Sequence, residues 1–289
     1  MMGEGNMCRQ GTMIGGRAGS RVYATFYTGG AGYLRGVLAL GRSLQLSGCS
    51  HQLVVFVTPN VGGERSIIES EGSLIRQVEG IEAPEAVRRL NEAGGFGHWN
   101  TSFTKLRILS ATEFEKVVLL DSDMLIVRNI DCLFNRPHLS ACVAGQAANP
   151  SWRDLNSGCL VIEPEADLCD CVMHTLDLLD DEALASYQGI GDQDLLHLAF
   201  PDWPGRNDLH LSEEYNLLSD NAARYAREGV LSGGSASIVH FAFKPKPWNM
   251  GVRGWLSVAK RALRWRSLAE VRYLCSYRKM LGDAAAELD

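Results

Sequence analysis

Residues 116–127 read KVVLLDSDMLIV. An apolar run ends on Asp121, Ser122 and Asp123, and a second apolar run follows at once. The first run is continuously apolar rather than alternating, the pattern of a strand covered on both faces in a largely parallel sheet. Open α/β sheets bind their ligands beyond the carboxyl ends of such strands. Two carboxylates at alternate positions there can grip one hard cation, directly or through water. Oxygen ligands favour Mg2+ or Mn2+ over zinc, and the cation can hold a diphosphate and neutralise charge as phosphate leaves. The same triplet also suits a strand-end turn with solvated acids, so it does not decide the chemistry by itself.

The pattern upstream sets the fold class. Residues 21–27 (RVYATFY) read as a first strand, followed by a glycine-rich turn at 28–32. Leu34, Val37, Leu38, Leu40 and Leu44 then recur at helical spacing. A strand is expected at 52–58, a helix at 62–71, a short strand at 74–78 and a helix at 101–112. Strands alternating with helices predict an α/β fold with a mostly parallel sheet. Downstream, 156–162 and 237–243 read as strands, 165–179 and 192–200 as helices, and 253–281 as a basic, Trp-containing helical stretch. The predicted organisation is a mobile N-terminal tail at 1–20, one catalytic domain at 21–252 and a C-terminal helical extension at 253–289.

Composition narrows the function. The 289 residues are 46% hydrophobic and 21% charged, which excludes a disordered chain. A net charge of −6 argues against a general nucleic-acid binder, which needs a basic face. It leaves room for a nucleotide pocket built from a few local cations. The apolar runs at 53–57 and 117–120 fall far short of the roughly 20 residues that span a bilayer, and 1–20 lacks a continuous apolar segment of the secretory kind. The eight cysteines include no Cys-x-x-Cys pair, which favours reduced thiols and a cytoplasmic setting.

A second motif is HFAFKPKPW at 240–248. His240 ends a strand-like run and can offer a neutral imidazole as a third metal ligand, or serve as a satisfied structural histidine. Lys246 can reach a phosphate oxygen, and Pro245 and Pro247 restrict the loop. Three weaker patches gain meaning only in combination. Lys105 alone reads as a surface lysine. Asn156-Ser157-Gly158 alone reads as a turn. Asp192, in GDQD at 191–194, alone reads as an N-cap. The glycine turn is not a dinucleotide fingerprint, because Gly36 falls one place late for G-x-G-x-x-G.

Together, ATFYTGGAGYLRGVLALGRSL, FTKLR, LLDSDMLIV, NSGCLVIE, GDQDLL, YNLL and HFAFKPKPW resemble, in order, the family-8 retaining glycosyltransferases, the group of glycogenin and galactinol synthase. The resemblance covers residues 21–248 and implies a GT-A type, Rossmann-like nucleotide-sugar-binding domain. It implies that Asp121, Asp123 and His240 hold Mn2+, or Mg2+, at the diphosphate of a UDP-sugar, with Ser122 on the donor side. Thr25 and Tyr33 would meet the uracil and ribose, Tyr33 by stacking. Lys105 would touch the donor phosphate or sugar. Asn156, Asp192 and Gln193 would line the sugar and acceptor site. Lys246 would hold the diphosphate and assist the departing UDP, so that Lys246, Asp192, Gln193 and Lys105 form the catalytic set.

The implied partners are UDP-glucose or UDP-galactose and a sugar, polyol or protein acceptor, with a homodimer left open. Three positions depart from the glycogenin pattern. Phe243 stands where glycine is usual, Gly189 stands where an acid is usual, and Tyr225 is only a poor match in spacing to a self-glucosylated tyrosine. The alternatives are a self-glycosylating primer or degenerate sugar-nucleotide module, and a haloacid-dehalogenase-like phosphatase, which also uses Asp-x-Asp after an apolar strand.

Overall fold

A computed structural model describes residues 20–282. β1 (Ser20–Tyr27) leads through the glycine turn into α1 (Ala31–Leu46), and β2 (Leu53–Val57), α2 (Glu64–Ser70) and β3 (Leu74–Gln77) follow. α3 (Glu85–Ala93) and a 3-10 run (Gly97–Ser110) precede β4 (Phe114–Leu120). Beyond the acidic triplet come β5 (Met124–Ile126), β6 (Ala141–Cys142), β7 (Asn156–Ile162), α4 (Leu168–His174), α5 (Asp181–Ala185) and α6 (Asp192–Ala199). The chain continues through β8 (His210–Leu211), β9 (Leu217–Leu218), α7 (Ala222–Glu228), β10 (Ile238–His240), α8 (Val252–Trp265) and α9 (Ala269–Gly282).

Seven strands form the main sheet in the order β3-β2-β1-β4-β7-β6-β8. β1 is parallel to both β2 and β4, whereas β7 is antiparallel to β4 and β6. The sheet is therefore mixed but mostly parallel, as the continuous apolar strands require. From β1 the order runs one way to β2 and β3 and the other way to β4. This makes the carboxyl ends of β1 and β4 a switch point, where a crevice opens. One apolar layer, including Phe56, Phe103, Leu119 and Leu160, covers one face of the sheet. A second, including Tyr27, Leu38, Val55 and Leu120, covers the other. A small sheet, β5-β10-β9, stands apart and carries a third core shared with α8 and α9, including Leu125, Val239, Val258 and Tyr277.

Several expected elements change on folding. The expected helix at 101–112 is a 3-10 run starting at Gly97. Its buried Phe103, Leu106 and Leu109 recur every third residue, so a three-residue turn lays them on one line. The helix expected at 165–179 ends at His174 and tightens into a 3-10 turn, Thr175–Leu178. The strand expected at 237–243 is only Ile238–His240. The helical stretch at 253–281 is two helices, broken where Arg266 turns left-handed. Ser20 opens β1; the rest of the expected tail lies outside the described residues.

Gly36, on α1, meets the turn after β4 closely. A Cβ there would lie 2.6 Å from the Ser122 carbonyl oxygen and 3.1 Å from the Trp248 ring. In an open helix, Gly to Ala stabilises by about 1 kcal/mol. Here Gly36→Ala is expected to destabilise by about 1–3 kcal/mol through overpacking. Urea unfolding reads the sign, and a stabilised variant would refute the contact.

Candidate active site

The site forms where β4 ends. The Asp121 N–H donates to the Gly158 carbonyl at 2.8 Å, and the Met124 N–H returns to the Asp121 carbonyl at 3.2 Å. This turn redirects the chain from the large sheet into β5. β10 then runs antiparallel to β5 with His240 opposite Met124, which sets the imidazole beside the acids. His240 Nε2 lies 3.3 Å from Asp123 Oδ1 and 3.7 Å from Asp121 Oδ2. One ligand atom from each of Asp121, Asp123 and His240 falls within 4.8 Å of the others.

Asn216, just before β9, orients the imidazole. Its side-chain oxygen accepts from His240 Nδ1 at 2.9 Å, and its amide donates to Asn156 Oδ1 at 2.8 Å. With Nδ1 engaged by Asn216, Nε2 is the nitrogen that faces the carboxylates, the orientation a metal-binding histidine needs. Behind the ring, a Cβ at Gly158 would lie 2.6 Å from His240 Cε1, so only glycine leaves room for the imidazole. Two carboxylates and a neutral imidazole fit a divalent cation such as Mn2+.

Two lysines balance the acids. Lys105 is only 9% exposed, unlike the surface lysine it resembles in isolation. Its ammonium donates to Asp121 Oδ1 at 2.6 Å and to the Ser157 carbonyl at 3.0 Å, and lies 3.2 Å from Asp192 Oδ2. Burial pushes the Lys105 ammonium toward neutrality, but Asp121 and Asp192 outweigh it and hold the proton more tightly than usual. Lys246 donates to Asp123 Oδ2 at 2.5 Å and to the Phe241 and Ala242 carbonyls. Burial pushes the Asp123 carboxyl up. The adjacent His240 and Lys246 win and hold it well below the usual carboxylate range.

These groups open into a cavity of about 490 Å³ at the ends of β1 and β4, with Thr25, Tyr33, Ser122 and Asp192 on its wall. Thr25 is buried on this wall, and among the described residues its hydroxyl has no hydrogen-bond partner. Tyr33 is 44% exposed and meets Trp248 edge-on at 5.5 Å. Trp248 in turn covers Gly32 and Gly36 and pins the Lys246 loop to α1. Asp192 is not the N-cap. Gly191 occupies that place, its N–H bound by Asp194 at 2.8 Å, which frees Asp192 to accept from Ser157 Oγ at 2.9 Å.

Asn156 and Gln193, expected on the sugar-facing wall, stand on either side of Ser157, at the opening of β7 and in the first turn of α6. Asn156 accepts from the Gly158 N–H, and Gln193 accepts from the Ser157 N–H at 3.0 Å. Both hold the strand opening that carries Ser157. The departures also have physical reasons. A Cβ at Gly189 would lie 2.8 Å from the Phe96 ring, which fills the space an acidic side chain would need. Phe243 is exposed at the loop tip. Tyr225 is buried, donating to Glu213 Oε2 at 2.7 Å and accepting from the Ala148 N–H, which unsuits it as an acceptor.

No protein-family model matches the chain. Glycogenin-1 of Homo sapiens is 33% identical over 237 residues, which take in 79% of this chain and 62% of the human protein. Galactinol synthase 10 of Arabidopsis thaliana is 36% identical over 121 residues, 41% of this chain and 35% of that protein. The chain thus spans less than two thirds of the length of the glycogenins it matches. The galactosyltransferase LgtC, crystallised with donor and acceptor sugar analogs, superposes with a TM-score of 0.57 at 16% identity. The match covers 91% of this chain and 95% of that one, and the shared architecture is GT-A. Among the described residues no helix is long and apolar enough to cross a membrane.

Removing Lys105 leaves Asp121 and Asp192 facing each other at the rim of a buried pocket. Breaking a buried ion pair costs about 3–5 kcal/mol, and because Asp121 reaches solvent, Lys105→Met is expected near the low end. Chemical denaturation in buffer free of metal and nucleotide checks this, and an unchanged midpoint would show that the pair contributes nothing to folding.

Proposed function

We propose that the chain is a member of the glycosyltransferase family that contains glycogenin and galactinol synthase, to which it is similar, and that it transfers a hexose, glucose or galactose, from a UDP-sugar to an acceptor hydroxyl with retention at the anomeric carbon. The observation that carries this reading is the convergence of Asp121, Asp123 and His240 with Lys105 and Lys246 at the switch point of the sheet. A divalent cation held by Asp121, Asp123 and His240, Mn2+ for preference, would neutralise charge on the donor diphosphate.

The remaining roles fall to this chain's own groups. Thr25 offers its unpartnered hydroxyl to the nucleoside, and the ring of Tyr33 offers an exposed face to the base. Lys105 holds Asp121 and Asp192 in place and presents a cation beneath the sugar. Lys246 turns from Asp123 to the leaving diphosphate, where negative charge grows as the glycosidic bond breaks. Such preorganised charge is often the largest catalytic contribution. Asp192 is already engaged by Lys105 and Ser157. This favours attack by the acceptor on the same face as the departing phosphate over a covalent carboxylate intermediate.

The burial of Tyr225 weighs against a glycogenin-like primer using that residue. The placement of the acids just after the fourth strand, with Asp121 bound by Lys105, weighs against an aspartyl nucleophile of the phosphatase kind. A cytoplasmic location accords with Cys142 and Cys159 as buried free thiols.

A screen of UDP-sugars for Mn2+-dependent UDP release tests the activity, and intact-mass spectrometry after incubation with UDP-glucose tests self-glycosylation. Asp123→Ala is expected to abolish Mn2+-dependent UDP binding in calorimetric titration while circular dichroism shows a folded protein. Unchanged affinity would remove Asp123 from the metal site. Lys246→Ala is expected to lower kcat by about tenfold or more, about 1.4 kcal/mol of barrier, with a smaller change in donor KM. A change confined to KM would leave Lys246 as a donor-binding residue only.

A further inference from the structure

The outer face of α8 is unlike the rest of the molecule. Its inner face, Gly254, Val258 and Ala262, is buried, and Arg261 is fixed by a two-point pair with Glu270 of α9, at 2.8 and 2.5 Å. Opposite them, Val252, Leu256 and Leu263 are 78%, 56% and 80% exposed. At positions i, i+4 and i+11 they form one apolar stripe, and Arg253, Lys260 and Arg264 form a basic stripe directly beside it. α8 contains no acidic residue, and residues 252–282 carry eight Lys and Arg against the single Glu270, in a chain whose net charge is −6. Among the described residues, Arg253, Lys260 and Arg264 form no ion pair.

We propose that this face docks on an anionic lipid surface, with Val252, Leu256 and Leu263 entering the headgroup boundary and the neighbouring cations meeting lipid phosphates. Charge and shape together select this occupant. Nucleic acid would satisfy the cations but leave the leucines in water. A second copy packed through the same face would set Arg253, Lys260 and Arg264 against their own counterparts. The face is also a convex helix ridge rather than a groove, which suits a deformable interface. A helix with apolar residues on one side and Lys and Arg alongside lies in the plane of a membrane rather than across it. The cytoplasmic leaflet carries the matching negative charge.

The placement bears on the cavity. A Cβ at Gly254 would lie 2.8 Å from the Pro245 ring and 2.9 Å from Met250 Sδ. The first turn of α8 therefore supports the loop that carries Lys246, and docking through α8 would set that loop close to the lipid surface.

The test is co-sedimentation of the full chain with phosphatidylcholine vesicles, with and without phosphatidylglycerol. It needs neither metal nor sugar donor, so its outcome is separate from that of UDP release. The wild type is expected to partition at least about tenfold more onto the anionic vesicles, and added salt is expected to weaken binding. Two double variants on exposed positions, Leu256→Glu with Leu263→Glu and Arg253→Glu with Lys260→Glu, are each expected to lose about tenfold or more. Both should keep the wild-type circular dichroism spectrum and Mn2+-dependent UDP affinity. Equal binding to neutral and anionic vesicles would overturn the proposal, as would binding that survives both variants. A dimer in sedimentation equilibrium that the same substitutions dissociate, with no vesicle binding, would assign the face to self-association instead.

Discussion

Two buried ammonium groups set among three carboxylates govern the architecture around the cavity. Lys105 serves Asp121 and Asp192, and Lys246 serves Asp123. Taking these charges out of water is costly unless each finds its partner at short range. The required partners lie on five separate segments: the 3-10 run, the turn after β4, the start of α6, the end of β10 and the proline loop. Each segment is therefore held by its own device. Ser102 accepts from the Asp192 N–H, Gly158 anchors Asp121, Asn216 orients His240, and Trp248 seats the loop on α1. Much of the polar bonding near the crevice serves to place these charges.

The mixed sheet follows the same demand. A strictly parallel β7 would carry its opening residues to the far edge of β4. Running antiparallel instead, it starts beside the end of β4 and brings Gly158 against Asp121 and Ser157 against Lys105. The small second sheet does for His240 what β7 does for Ser157.

The sequence made the frame around β1, β2 and β4 legible, because continuous apolar strands and one amphipathic helix leave strong periodic signals. Asp121 and Asp123 were legible for the same reason, since the apolar run dictates where they stand. The depth of Lys105 was not legible. Its neighbours repeat every three residues, and a helical reading of that segment leaves the orientation of the lysine open. Asp192 reads locally as a cap, and only Asp194, two places on, frees it for Lys105. Asn216 lies in the YNLL stretch that the resemblance picks out, but nothing local shows that it orients His240. It precedes a two-residue strand whose register against β10 depends on long-range pairing. Gln193 and Asn156 carry the right chemistry for a sugar wall, but their hold on the Ser157 and Gly158 backbone amides depends on the fold and could not be read locally.

The ion pair between Asp123 and Lys246 joins residues 123 positions apart. Contacts so distant along the chain must pay for closing a long loop before they give anything back. During synthesis β1, β2 and β4 can pair while Lys246 is still inside the ribosome. In that interval Asp123 has neither its lysine nor His240, and it stays hydrated like any strand-end acid. The crevice therefore takes shape from its N-terminal side and acquires its full complement of charge only after β10 and the proline loop have emerged. A chain stalled before that point would carry the sheet but not the site.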